Sequence, residues 1–394
     1  MYEIVVGIPS YNSVETISYV VRQVEKGLSK YFQGKNLVLV SDGGSTDGTI
    51  EVVKALKVRE ESVDRRVELY PGPSGKGSAV KHVFKVAEEE GASTVVLVDS
   101  DLRSITPEWI KFLGLPASGK YDLVTPLYRR DRYDGMITKL LAYPLTRALY
   151  GLRVRQPIGG DFGLSIELVK ELLREDLWSL KYVQKYGIDI FITNTALSRG
   201  FRVAQVFLGS KIHGSKDPTA HLKNMFLEVS GSQFNISIRN VSAWWNVEGS
   251  VEPETMVEKG FLECAQPIRV DIDSGVNKFK AALRSVEEVA RRVLKEDFCL
   301  VENALDKACR KERNAFPSDA WSRVVYRHLA FYASNRREEV LESLYACWLG
   351  RIVSFVVDTL ELSDEEVERE VLRGAEAFEG EKSFLRSVFP ERKA

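Results

Sequence analysis

The chain has 394 residues, 44% hydrophobic and 28% charged, the proportions of an ordinary globular protein long enough for two domains. Its 55 Lys and Arg against 56 Asp and Glu leave a formal net charge of -1, so no basic excess marks a nucleic-acid binder. Four cysteines (Cys264, Cys299, Cys309, Cys347) show no C-x-x-C spacing and read as reduced thiols, not as a disulfide or zinc framework.

The N-terminus enters a strand directly, and no stretch reaches the ~18 uninterrupted apolar residues of a membrane span. The expectation is a soluble, cytoplasmic chain. Short apolar runs rich in β-branched residues occur at 4–8, 37–40, 94–98 and 123–127, with another at 203–208. Helical periodicity appears between them at 14–28, 77–90 and 137–150. Such alternation predicts an α/β fold: a mostly parallel sheet with helices on both faces, which binds ligands outside the carboxyl ends of its strands. Residues 246–254 read as a connector. Beyond it, 278–305, 320–333, 338–360 and 364–378 read as helices, the last opened by a Ser363/Glu366 capping box. The predicted domains are therefore 1–235, which carries the chemistry, and 236–394, mainly helical.

The sharpest local feature ends the third apolar run. Asp99 and Asp101, spaced i, i+2, project to the same side of an extended chain. Paired carboxylates at a strand end suit a hard divalent cation that also holds a diphosphate, although a solvated turn explains the pair equally well. Three features add to it. Ser41-Asp42-Gly43-Gly44 follows the second run as a carboxylate and a glycine turn. Gly75-Lys76-Gly77 opens a helix, where N–H groups and a lysine can meet an anion. His213 follows the fifth run and can complete a metal shell, against the commoner structural role of a lone histidine.

In this order, with Pro9-Ser10-Tyr11-Asn12 and Glu15 at the start, the chain resembles the GT-A glycosyltransferases. A second set narrows the resemblance: Tyr128-Arg129-Arg130, Gly135-Met136-Ile137-Thr138, Gln156-Pro157-Ile158-Gly159-Gly160-Asp161 and Tyr186-Gly187-Ile188-Asp189. With His213 these are similar to the retaining enzymes that make mannosylglycerate, glucosylglycerate and glucosyl-3-phosphoglycerate. The resemblance implies a GT-A fold and a divalent metal, Mg²⁺ or Mn²⁺, held by Asp101, His213 and Asp99. It implies a donor site of Pro9, Tyr11, Glu15, Asp42, Gly43, Lys76, Asp99, Ser100, Gly159 and Asp189. Lys76, Asp101 and Asp189 would carry catalysis, Asp189 positioning sugar and acceptor instead of forming an adduct. Arg130, Met136, Ile137 and Thr138 would receive the acceptor carboxylate. A homo-oligomer, dimer or tetramer, is implied as well.

In the phosphoglycerate-using branch an arginine stands where this chain has Met136, and an asparagine stands at Ser215. Methionine offers a phosphate no charge, so the expected acceptor is D-glycerate or a similar small hydroxy acid. Arg129, Arg132, Lys139 and Lys216 remain as other cations for a phosphate. UDP-glucose and GDP-mannose both stay open as donors, with a small preference for the former from Ser41-Asp42-Gly43. The rivals are an inverting transferase using Asp161 as base, a nucleotidyltransferase, and a non-catalytic sugar-nucleotide binder. Trp244-Trp245 reads as a core or interface pair before it reads as a sugar platform.

Overall fold

A computed structural model describes residues 1–57, 60–212, 222–257 and 267–390. His213, Ser215, Lys216 and Cys264 lie outside the described residues. The strands are β1 (Ile4–Ser10), β2 (Asn36–Asp42), β3 (Val63–Leu69), β4 (Thr94–Leu97), β5 (Leu123–Arg129), β6 (Phe162–Ser165), β7 (Val203–Ser210) and β8 (Glu254–Met256). They form one sheet in the order β3-β2-β1-β4-β6-β5-β7-β8. β6 runs antiparallel to both β4 and β5, and every other pairing of strands is parallel.

β1 shows why its sequence is apolar without interruption. Ile4, Val6 and Ile8 join Ile17, Val20 and Val24 of the helix Ile17–Tyr31 in one buried cluster. Gly7 points the other way, against the helix Lys76–Glu89, where a Cβ would come within 2.3 Å of Val83 Cγ1. A strand covered on both faces has no solvent side to make polar. The strand order turns at β1, between β2 and β4, and the carboxyl ends beside that turn-about are where open α/β sheets bind ligands.

The chain divides into two compact units that are interleaved in sequence. The first comprises 1–130, 154–219 and 252–266, and holds the sheet. The second comprises 131–153, 220–251 and 267–394. In the second unit the helices Ile272–Leu294 and Glu338–Thr359 pack with Gly350 beneath the Phe279 ring, where a Cβ would lie 2.6 Å from Phe279 Cζ. Helix Glu338–Thr359 is apolar and long enough to cross a membrane, but 72% of its apolar window is buried inside the protein. The capping box at Ser363 forms as expected, with both reciprocal hydrogen bonds.

Two helical expectations change. The segment 278–305 is two helices, Ile272–Leu294 and Phe298–Cys309, because Lys295 takes a positive φ of 54° that no α-helix continues through. The segment 137–150 is a π-turn, Thr138–Ala142, followed by the helix Tyr143–Tyr150. Pro144 has no N–H to give the carbonyl of Leu140, which instead accepts the Trp321 indole N–H at 2.6 Å. Trp244 is fully buried, donates to the Ser237 carbonyl and packs on Phe389, so it belongs to the core. Cys299 and Cys309 are exposed and Cys347 is buried, all three as free thiols on helices.

Candidate active site

The site grows out of the carboxyl ends of β1, β2 and β4. Past β4 the chain turns through Asp99, Ser100 and Asp101. The Ser100 hydroxyl meets that of Ser13 at 2.8 Å, and its carbonyl accepts from Thr16 Oγ1 at 2.9 Å. These bonds tie the β4 turn to the segment after β1. Past β2, Asp42 is buried and spends its carboxylate on the turn, Oδ1 accepting from the Gly44 and Ser45 amides and Oδ2 from the Ser45 hydroxyl. Gly43 lies between two aromatic rings: a Cβ there would be 3.0 Å from Tyr70 Oη and 3.3 Å from Tyr11 Cδ2. Tyr11 is exposed, and Glu15, also exposed, pairs with Arg103 at 3.2 Å. Pro9 is the penultimate residue of β1, in register with Ser41 of β2.

At the centre stands a buried set of charges. Lys76 Nζ is 2.8 Å from Asp99 Oδ1 and 3.3 Å from Asp189 Oδ1, the latter in the first turn of helix Ile188–Ser198. Lys211 Nζ, one residue past β7, is 2.6 Å from Asp99 Oδ2 and 2.7 Å from Asp161 Oδ2, and donates to the Gly159 carbonyl at 2.9 Å. Asp161 has no exposed surface: Oδ1 accepts from the Asp99 amide at 2.9 Å, and Oδ2 also accepts the Tyr128 hydroxyl at 2.6 Å. Arg130 stacks its guanidinium over Tyr128 at 5.6 Å.

The pKa directions follow from this layout. Burial alone would raise the Asp99 carboxyl, but the Lys211 and Lys76 ammoniums outweigh it and hold Asp99 below the usual carboxylate range. Burial also works against both lysines, yet Asp189 with Asp99 raises Lys76, and Asp161 with Asp99 raises Lys211. Asp189 moves the other way. Its own burial raises its carboxyl, and Asp99 adds to that, only partly offset by Lys76. Two carboxylates of unlike strength thus share one lysine.

Two glycines are dictated by crowding. Gly160 has φ of 89°, and a Cβ would meet Asp99 Oδ2 at 2.5 Å and Lys211 Nζ at 2.7 Å. Gly77 passes so near the 183–184 backbone that a Cβ would sit 1.8 Å from the Val183 carbonyl oxygen. At this helix start the Gly75 amide donates to Tyr70 Oη at 3.0 Å and the Ser78 amide to the Gln184 carbonyl at 3.0 Å. Lys76 itself remains at the cluster. The 156–160 loop is pinned by Gln156 Nε2 donating to the Tyr128 carbonyl, by Thr193 Oγ1 donating to that of Pro157, and by Lys211.

Of the expected residues, Asp99, Lys76, Asp189 and Gly159 come together. Asp101 follows in the same turn, half-buried. Arg130 belongs to the first unit, whereas Met136, Ile137 and Thr138 belong to the second. The sequence reading did not single out Lys211, and gave Asp161 only a rival's role. Lys211 had one available signal: it stands at a strand end two residues before His213. Asp99 and Asp101 offer hard oxygen donors of the kind Mg²⁺ and Mn²⁺ take, which substrate oxygens can complete. Among the described residues no group of three potential ligands converges, and His213 lies outside them.

Carboxylates and lysines gathered at the strand ends of a mostly parallel sheet define a class, and comparison with known proteins places the chain within it. The family model described as mannosylglycerate synthase, GT domain, matches residues 10–233, more than half of the chain, and the chain belongs to that family. It is similar to the mannosylglycerate synthase of Selaginella moellendorffii, 22% identical over 297 residues that cover 71% of this chain and 66% of that one. It is also similar to the glycosyltransferase AglJ of Haloferax volcanii, 33% identical over 132 residues, 34% of this chain and 38% of that one. The chain thus spans less than two thirds of either curated relative. Among solved structures, glucosyl-3-phosphoglycerate synthase from Mycobacterium tuberculosis with Mn²⁺, UDP and glucosyl-3-phosphoglycerate is 29% identical, with a TM-score of 0.48 over 60% of this chain and 80% of that one. The same enzyme with Mg²⁺ and UDP is 29% identical at a TM-score of 0.47, over 60% and 79%.

Proposed function

We propose that this protein is a retaining hexosyltransferase that moves glucose or mannose from a nucleoside-diphosphate sugar to D-glycerate or a similar small hydroxy acid, assisted by a divalent metal. The observation that carries the reading is the Lys76–Asp99–Lys211–Asp161–Asp189 cluster at the strand ends, in a chain of the mannosylglycerate synthase family. A bound Mg²⁺ or Mn²⁺, held by Asp99 and Asp101 with His213, would neutralise the charge that grows on a departing diphosphate. Lys76 adds a second cation for the same charge, from a helix that the 183–184 backbone holds in place. Asp189, held by Lys76, orients the sugar at its reacting carbon.

Asp161 supports this reading over an inverting one. A general base must reach the acceptor hydroxyl, and Asp161 is fully buried with both oxygens engaged. The acceptor preference rests on Met136 and on the commitments of neighbouring cations. Arg132 is bound to Asp364 at 2.6 Å and to the Leu362 carbonyl, and Lys139 donates to the carbonyls of Asp131 and Arg132.

The test is turnover with Mg²⁺ or Mn²⁺, UDP-glucose or GDP-mannose, and D-glycerate or 3-phosphoglycerate, reading diphosphate release and the anomeric coupling of the product. An α-linked glyceryl glycoside, lost in EDTA and lost with Asp101→Asn, is the expected result. A product of inverted anomeric configuration, or pyrophosphate release from UTP and a sugar phosphate, would replace the reading.

A further inference from the structure

The residue that follows the edge strand β3 joins two parts of the site that the sequence keeps apart. Tyr70 donates its amide to the Asp42 carbonyl at 3.2 Å, so the chain stays beside β2 for one residue past the strand. Its ring lies against the turn after β2: a Cβ on Gly43 would be 3.0 Å from Tyr70 Oη and 3.4 Å from Cε1. The same hydroxyl oxygen accepts the Gly75 amide at 3.0 Å. Tyr70 thereby closes its own loop, in which Pro71, Gly72, Pro73 and Ser74 are all exposed. Lys76 comes next, its ammonium between Asp99 and Asp189. One phenol oxygen thus ties the Asp42–Gly43 turn to the residue that carries the lysine.

The body of the helix Lys76–Glu89 is held by other means. Gly77 lies against the Val183 carbonyl, the Ser78 amide donates to that of Gln184, and the Ala79 carbonyl accepts the Ser41 hydroxyl at 3.0 Å. Ahead of Gly77, it is the Gly75 amide bond to Tyr70 that ties the chain to the sheet. Removing the phenol oxygen therefore leaves the fold in place and loosens the loop together with the start of the helix. An ordering cost that the folded chain has already met then falls due when a ligand binds. That cost is felt by the part of the ligand that Lys76 meets.

We propose that Tyr70 is a positioning residue of the donor site, whose hydroxyl holds Lys76 at a fixed place relative to the Asp42–Gly43 turn, ready for the diphosphate of a nucleotide seated at that turn. The inference rests on the nucleotide-sugar reading above and adds to it a residue that lies outside the sequence motifs. The test is binding without turnover: UDP, UMP, GDP and GMP titrated calorimetrically into the full chain with Mg²⁺. Tyr70→Phe keeps the ring against Gly43 and removes only the oxygen. For whichever base binds, it should weaken the diphosphate about fivefold and the monophosphate by less than about twofold. Lys76→Met should weaken the diphosphate about tenfold, and Tyr70→Phe added to it should cost nothing further, since the hydroxyl acts through the ammonium. Equal weakening of monophosphate and diphosphate, or additive losses in the double variant, would make Tyr70 a structural residue and overturn the proposal. Unchanged affinity for both nucleotides would overturn it too. If none of the four nucleotides binds the wild-type chain, the nucleotide-sugar reading itself falls, and this inference with it.

Discussion

Lys211 is the residue whose removal should be felt most widely. Its ammonium neutralises Asp99 and Asp161 at once and anchors the Gly159 carbonyl, with only 5% of its side chain exposed. Lys211→Met fills much the same space but leaves two buried carboxylates facing each other. Removing one partner of a buried pair costs on the order of 3 kcal/mol or more. The expected outcome is a loss of stability of that order, with kcat at least about 100-fold lower, since sub-ångström shifts of Asp99 and the 156–160 loop misplace the donor. Full activity in a stable Lys211→Met protein would show that the ammonium is dispensable for positioning. Apart from its place two residues before His213, nothing in sequence separates this lysine from any other that follows a strand. Asp99 and Asp101 were legible because two acids at the end of an apolar run are an unusual local pattern. Lys211 acquires meaning only when β7 brings it across to β4, and Asp161 only when the antiparallel β6 does the same.

At the scale of elements, the readable ones were those whose local signals agreed with their burial. β1, β2 and β4 are covered on both faces and read as unbroken apolar runs. β3 lies at the sheet edge and has the sequence VDRRVEL, with Asp64, Arg65 and Arg66 in its middle, so it gave no apolar run to find. β6 is four residues long, and its Gly163 passes so close to Leu113 that a Cβ would meet the carbonyl oxygen at 1.7 Å. Helix Asp364–Gly380 is the opposite case, announced by its cap. Ser363 Oγ accepts from the Glu366 amide at 3.3 Å, and Glu366 Oε2 accepts from the Ser363 amide at 2.8 Å. Ser363→Ala removes the first bond, and urea denaturation should show a loss of about 1 kcal/mol. No loss would mean that packing of Val367, Val371 and Phe378 alone fixes this helix end.

At the scale of the whole molecule, the interleaving of the two units was not legible: 246–254 reads as a connector and spans the boundary at 251/252, but the excursion of the chain at 131–153 carries no linker signal. The second unit nevertheless contains a group through which its stability can be read as a function of pH. His328 has no exposed surface; its Nδ1 is 2.7 Å from the Val324 carbonyl and its Nε2 3.0 Å from the Ser343 hydroxyl. A neutral imidazole satisfies both, donating from Nδ1 and accepting at Nε2. Burial pushes the ring down to about 4, against an unfolded value near 6.5. The folded value is depressed, so between those two values the unfolded chain binds the extra proton. The contribution is therefore complete above about pH 6.5, falls as the pH drops towards 4, and is gone below it. By pH 5 the loss should reach about 2 kcal/mol relative to pH 7.5. Other groups titrate in the same range, so the measurement is the difference between wild type and His328→Gln in urea unfolding at the two pH values. The wild type should lose about 2 kcal/mol more than the variant on acidification. Parallel curves for the two proteins would mean that His328 keeps an ordinary pKa in the folded chain, and that its surroundings admit the proton without cost.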